Sequence, residues 1–437
     1  MRDLVIVAIV AWGCLHAIRR PWIGLLVWIW LSMMNPHRYA YGFAFTAPLA
    51  QVTAIAVFIG LLVGKDRISQ PLRGAPAVWF LLLTVWETLS WALGLDPSGD
   101  TAQWLKVIKV NVMVFMALLL LHTRYQIMAA TAVLAGSLAL LGIKGGIHTL
   151  MTGGGGRVWG PPGTFIGDNN EFALALVMTI PILRFLQMQM TGAWQRHAMT
   201  AVMVLCALSA LGSQSRGALL AIGAMTLWLW WRGQRKLQLG LVLLVLGVGL
   251  VIFMPESWTD RMSTINQYQE DRSAMGRISA WWNAWNLAKD YPFGVGFNAA
   301  RPELFARYSP YPDMVHAAHS IYFQVLGNHG YVGLLIFLAL WVSTWRTAGR
   351  LIKLGSKDPD LAWLKDFGGM LQVSYIAFLV GGAFLSLVYF DFPYYLMALA
   401  VVAHQWASRR SQWPDPVKVP AWQSALGWVK NPKGAAA

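Results

Sequence analysis

Long apolar runs, broken by short basic or Gly/Pro-rich connections, constrain this chain more than any other feature. They lie at roughly 3–18, 21–34, 47–63, 75–94, 104–121, 126–150, 171–187, 198–213, 217–231, 238–254, 319–345, 367–388 and 392–407. Runs of about 15–22 residues suit α-helices crossing a hydrocarbon layer about 30 Å thick, whereas the strands of a membrane barrel are shorter and alternate. The expected fold is all-α: a polytopic integral membrane protein with about 12–13 transmembrane helices and one large outer loop containing interfacial helices. The first two runs are short and read as two spans or as one broken span, which sets the range of that count. A content of 57% hydrophobic and 12% charged residues excludes an ordinary water-soluble globule. Arg19-Arg20-Pro21 follows the first run in place of a small-residue cleavage site, so that run reads as retained.

The net charge of +15 is dispersed over the connections and forms no nucleic-acid-binding motif, so topology and membrane lipids account for it and no nucleic-acid partner is expected. Basic residues gather in alternate connections: Lys65, Arg67 and Arg73; Arg184 and Arg196; Arg232, Arg235 and Lys236; Arg346, Arg350, Lys353, Lys357 and Lys365; and a tail with Arg409, Arg410, Lys418, Lys430 and Lys433. The positive-inside rule makes these cytoplasmic. The connections at about 35–46, 95–103, 151–170, 212–216, 255–318 and 389–391 then face outward. The expected division is an N-terminal transmembrane bundle (1–254), a large outer loop (255–318), C-terminal transmembrane helices (319–407) and a cytoplasmic tail (408–437). Cys14 and Cys206 lie inside apolar runs and read as packing residues.

Polar side chains on the outward face are the candidates for chemistry. Arg216, in Ser213-Gln214-Ser215-Arg216-Gly217, stands where the positive-inside rule would not place it, and reads as an arginine snorkelling at a helix end or as a bidentate clamp for phosphate. In Met275-Gly276-Arg277-Ile278-Ser279-Ala280-Trp281-Trp282-Asn283-Ala284-Trp285, Trp281 and Trp285 share a helix face with Ile278 and Trp282, as in an interfacial helix. Arg277 then points near that membrane-facing stripe, either as a solvated charge or aimed at a lipid diphosphate; Arg272 has the same two readings. His316 and His319 mark the entry to the next membrane helix, where Ser320 is placed to cap and the helix N-terminus disfavours an imidazolium, favouring a neutral base. The glycine-rich stretch 151–171 lacks the Lys-Ser/Thr ending of a P-loop; it offers Arg157 and Asn170 as headgroup contacts, or is a plain flexible loop. Asp391 reads as a turn residue or as a group orienting a histidine or arginine. Lys106, Lys109 and Lys144 lie in or near apolar runs. No His/Cys/carboxylate set has metal-ligand spacing, so no metal and no cofactor is expected.

Several of these stretches, Ser215-Arg216-Gly217-Ala218, Arg277 with Trp281, Pro292-Phe293-Gly294-Val295-Gly296-Phe297, His319-Ser320 and Gly330-Tyr331-Val332-Gly333-Leu334-Leu335, resemble the signature region of the O-antigen ligase and O-antigen polymerase superfamily, at motif level over roughly 200–345. Met34-Asn35-Pro36-His37-Arg38 and Gly160-Pro161-Pro162-Gly163 are similar to the subgroup of O-glycosylation ligases associated with exosortase systems. The resemblance implies a multi-pass glycosyltransferase of the bacterial inner membrane, with its active site facing the periplasm. It implies metal-independent, inverting transfer of polysaccharide from undecaprenyl diphosphate to a lipid A–core acceptor. The family's diphosphate-binding arginines carry over to Arg216 and Arg277, and its catalytic histidine to His319; an Asn commonly follows that histidine, and here Ser320 takes its place. A polymerase or a protein O-oligosaccharyltransferase would share the donor chemistry. A transporter of lipid-linked sugars is the rival from a different class and would carry ionisable residues deep within several spans.

Overall fold

The computed structural model describes residues 1–64, 70–233 and 272–410, together with Leu426. The expected run 238–254, the outer-loop residues 255–271, the basic residues Lys65, Arg67, Arg235 and Lys236, and the tail from 411 apart from Leu426 lie outside that set. The α-helices are α1 (Arg2–Ala17), α2 (Pro21–Met34), α3 (Leu49–Val63), α4 (Ala75–Ala92), α5 (Pro97–Leu120), α6 (Arg124–Met151), α7 (Asn169–Met188), α8 (Ala193–Gly212), α9 (Arg216–Arg232), α10 (Arg272–Asp290), α11 (Pro302–Tyr308), α12 (Ile321–Lys357), α13 (Ala362–Gly381) and α14 (Asp391–Arg409). No strand occurs among the described residues.

Six described segments are long and apolar enough to cross a membrane: α4, α5, α6, α7, α12, and α13 with its short flanking turns. Helix α4 shows the physical signature. It buries Ala77, Phe80, Leu83 and Glu87, while Val78, Leu82, Val85 and Leu89 form an exposed stripe at helical spacing. A helix apolar on both faces is stable where lipid, not water, meets the outer one. Helices α7 and α14 sit at the centre, buried on nearly every side. Helix α7 packs on α8 and α13, and α6 and α8 flank it. The expected runs 3–18, 21–34, 47–63, 198–213, 217–231 and 392–407 also form helices, shorter or more polar than these six.

Three expectations change. Arg346, Arg350, Lys353 and Lys357 stand on α12 rather than in a loop, because Thr347, Ala348, Leu351 and Gly355 keep a buried stripe going. From Tyr331 that helix runs about 40 Å at ~1.5 Å per residue, beyond the apolar layer. The connection at 95–103 is helical from Pro97, where Asp96 accepts a hydrogen bond from the Gly99 N–H at 3.0 Å. Ser320 takes the N-cap position of α12, but its side chain makes no capping bond and its Oγ is buried without a hydrogen-bond partner.

Helix α12 is broken at Gly330, whose φ of 67° and ψ of −169° suit glycine alone. The break frees the carbonyls of Asn328 and His329 from their helical donors, and buried carbonyls need replacements. Val295 and Gly296 N–H donate to the Asn328 carbonyl at 2.9 and 3.1 Å, and Trp86 Nε1 donates to that of His329 at 2.9 Å. The Asn328 side chain accepts from the Ala299 N–H at 3.0 Å and donates to Phe297 O and Tyr389 Oη at 3.1 and 3.0 Å. His329 fills the space between Ser90 Oγ, 3.0 Å, and Tyr389 Oη, 2.8 Å. The segment 292–299 is thereby fastened to α4, α12 and the connection before α14, and with it the end of α10. Replacing Asn328 by Leu leaves several of these buried groups unpaired and is expected to lower the thermal midpoint of purified protein by several degrees. An unchanged midpoint would show that the fastening contributes nothing to stability.

Candidate functional site

Three chain segments meet around His319. The first is the N-terminus of α7. Asp168 caps it, accepting from the backbone N–H and the side-chain Nδ2 of Asn170, each at 2.9 Å. Glu171 lies in the first turn and is buried. The second is the 382–390 connection, where the Ser386 backbone donates to the Glu171 carboxylate. The third is the chain entering α12. His319 has a φ of 41°, uncommon for a residue with a Cβ, and its N–H donates to Ser386 Oγ at 3.1 Å. Its Nδ1 faces Glu171 Oε1 at 3.9 Å, and the side chain remains 37% exposed. Trp281 Nε1 donates to the Ala318 carbonyl at 2.7 Å, fixing the preceding residue from α10. A backbone strained at this one position and tied from two sides holds an imidazole at the site's surface.

Electrostatics favour the neutral imidazole. Burial holds the His319 pKa below its ordinary 6.5, the nearby Arg277 and His316 charges lower it further, and Asp168 pulls the other way. Asp168 itself is held below the usual carboxylate range: burial opposes this, and the hydrogen bonds from the Asn170 backbone, Glu171 and Asn170 Nδ2 outweigh it. Gly276 is buried under the His316 ring, with no room for a Cβ between them. His316 therefore packs on α10 beside Arg277.

Arg216 is half-buried and begins α9 directly after Ser215, whose Oγ accepts from the Ala218 N–H at 3.2 Å. A cation at a helix N-terminus opposes the macrodipole, so this corner gathers positive potential from both the guanidinium and the helix end. The same corner touches the His319 site through two neighbours. Asn169 Nδ2 donates to the Ser213 carbonyl at 2.7 Å, and Gly217 packs against Leu385, the residue before Ser386. Arg157 is exposed and donates from Nε to Gln214 Oε1 at 3.2 Å, on the same connection. Asn170 is occupied with the Asp168 cap. Arg272 opens α10, and its side chain lies outside the described set. Asp391 is placed elsewhere: it is buried at the start of α14 and accepts from Ser32 Oγ, away from the imidazole.

Helix α10 separates two concavities. On one side a cleft of ≈160 Å³ is bordered by His316, Ala318, Ser386, Asn283 and Gln324. Asn283 Oδ1 and Gln324 Oε1, on two of its lining residues, are buried without a hydrogen-bond partner. On the other side Ile278, Trp281, Trp282, Trp285 and Phe323 form an apolar groove of ≈320 Å³. The expected tryptophan stripe is split. Trp282 and Trp285 are exposed, but Trp281 turns inward and stacks on Phe323, 5.2 Å between ring centroids, because its indole N–H finds a carbonyl there. The Arg277 charge acts on His319.

Sequence reasoning passed over Glu171, Asp168 and Ser386. The available signal was Asp168-Asn169-Asn170-Glu171, a helix-start pattern ahead of an apolar run and rich in carboxylates. Among the described residues no group of three or more His, Cys, Asp or Glu side chains forms a metal site.

Residues 201–338 match the family described as O-Antigen ligase, and residues 1–191 match a family of unknown function, DUF5935. No curated protein matches the chain. Arg216, Arg277, His316 and His319 belong to the first matched segment, and Arg157, Asp168 and Glu171 to the second. The site is built where the two segments meet.

Proposed function

We propose that this multi-pass membrane protein transfers polysaccharide from undecaprenyl diphosphate to a lipid A–core acceptor at the periplasmic face of the bacterial inner membrane. The observation that carries this reading is His319: a partly exposed imidazole favoured in its neutral form, directly after the cleft residue Ala318, with Glu171 3.9 Å from Nδ1 and the Arg277 charge nearby, inside a segment similar to O-antigen ligases. An acceptor hydroxyl attacks the anomeric carbon of the donor, and the bond from that carbon to the diphosphate oxygen breaks. The electron pair leaves with the diphosphate, and the hydroxyl proton passes to His319 Nε2. One displacement inverts the anomeric configuration. Arg216 and Arg277 stabilise the charge that grows on the leaving diphosphate, and Asp168, whose charge favours a protonated His319, stabilises the imidazolium formed in the same step. The groove beside Trp282 and Trp285 suits an isoprenoid tail, and the cleft acceptors Asn283 and Gln324 suit sugar hydroxyls.

The pH profile tests the base. Because the His319 pKa is lowered, its neutral form persists below pH 6.5, and kcat/KM is expected to hold there and fall only at more acidic pH. Arg277→Gln removes a lowering charge and is expected to move that acidic limb up. Asp168→Asn removes a raising charge and is expected to move it down. Limbs that shift the same way, or not at all, contradict a base at His319. Gel mobility of labelled products, with lipid A–core, a protein and a growing glycan offered in turn, identifies the acceptor. Label on lipid A–core is expected; label confined to either of the others overturns that part of the proposal.

A further inference from the structure

Three cations that the transfer chemistry leaves unused, Arg38, Lys106 and Lys109, line a third cavity, of ≈390 Å³, between α2, α5, the 163–166 connection and the start of α14. Arg38 is half-buried, and Lys106 and Lys109 are exposed to the cavity. Lys109 stands midway along α5, about 18 Å from its first residue at ~1.5 Å per residue, and an ammonium facing lipid at that depth is strongly disfavoured. It opens instead onto this cavity, as does Lys106 one turn earlier on the same face. The Lys106 ammonium lies 4.0 Å from the centroid of the Phe165 ring, and the Arg38 guanidinium 5.5 Å from that of Phe45, so aromatic faces orient both without neutralising either. Gly163, with a φ of 72°, brings its connection against Arg38.

The polar inventory is unbalanced. Asp391 is the one carboxylate among the lining residues, and Ser32 already donates to it. Arg38 Nε and His37 Nδ1 are buried without hydrogen-bond partners. Buried nitrogens without partners at a cavity that holds three cations and one carboxylate call for an anion with several acceptor oxygens. Trp28, Leu31 and Phe390 supply an apolar flank.

We infer that this cavity is a binding site for a phosphate-class anion, carried on a lipid headgroup or free, held by Arg38, Lys106 and Lys109. It shares two chain segments with the His319 site: 163–166 leads directly to Asp168 and Glu171, and Asp391 follows closely on Ser386. If the chain transfers glycan as proposed above, the anion is the acceptor's, since the donor diphosphate falls to Arg216 and Arg277, and the cavity holds the acceptor on segments that continue into the His319 site.

The test is binding without turnover, so its result stands apart from the fate of the transfer reading. Full-length protein in phosphatidylcholine nanodiscs is titrated calorimetrically with dihexanoyl phosphatidate and, separately, with inorganic phosphate. Saturable binding is expected, weakened about tenfold or more in Lys106→Gln/Lys109→Gln and, independently, in Arg38→Gln. Arg277→Gln, at the other site, is expected to keep it. Binding of phosphatidate alone assigns the site to a lipid headgroup, and comparable binding of inorganic phosphate assigns it to free phosphate; both support the site. No saturable binding by the wild type, or equal affinity in both variants with unchanged thermal midpoints, overturns it.

Discussion

His319→Ala is expected to lower turnover by about 10²–10⁴-fold, the usual contribution of a positioned base, while donor affinity stays within a few-fold. Affinity is kept because the diphosphate is assigned to arginines and not to the imidazole. His319 is 37% exposed, so shortening it opens no deep cavity and the fold should survive. Its φ of 41° is the one structural complication, and His319→Asn removes it, since asparagine tolerates the left-handed region. The Asn variant should match wild type in thermal stability and the Ala variant in activity. Normal turnover in either variant, correctly folded, would remove His319 from the mechanism.

Gly330→Ala is expected to give a large loss of stability, because clash and backbone strain coincide at this position. A Cβ at Gly330 would overlap the Pro292 carbonyl oxygen and stand 2.6 Å from the Gly294 nitrogen. Both atoms are backbone, and both belong to the segment that Asn328 fastens. The φ of 67° with a ψ of −169° adds strain that no side-chain rotation relieves. Together these point to a loss of about 3 kcal/mol or more. The expected result is a fall in folded yield and thermal midpoint, with activity lost as α10 and Arg277 move. A variant that purifies with an unchanged midpoint would show that the break in α12 is not what holds the outer segment.

The helical membrane class was legible because it depends on run length and apolar content, which a single sequence displays directly. Features set by tertiary partners were not. Gly330 sits inside an apolar run, and only the carbonyl of Pro292, far away in sequence, reveals why a helix must break there. Arg346 to Lys357 looked like a loop because charge dominates the composition, whereas Thr347, Ala348, Leu351 and Gly355 continue the helix by their spacing. Trp281 and Trp285 share a face by periodicity, yet one indole N–H found the Ala318 carbonyl and turned inward. Arg216 stood out as a charge on the less basic connections, Arg277 by its spacing from Trp281, and His319 by its place at the entry to an apolar run. Glu171 did not, since it reads as the last residue of a loop and gains its place only when α7 brings it to the imidazole. Asp391 drew notice for the same reason as His319, and its partners turned out to be Ser32 and the lysine-lined cavity.

The central claim is that a glycan leaves a lipid diphosphate at the His319 site. It is tested most directly with purified protein in sealed vesicles, undecaprenyl diphosphate carrying a labelled glycan, and lipid A–core offered on the side of His319. Label on the acceptor and released undecaprenyl diphosphate are followed together. The account predicts that one lipid diphosphate is released for each glycan transferred, and that both signals vanish in His319→Asn. Intact donor crossing to the other leaflet, with no diphosphate released and equal rates in the variant, would contradict it and identify a transporter.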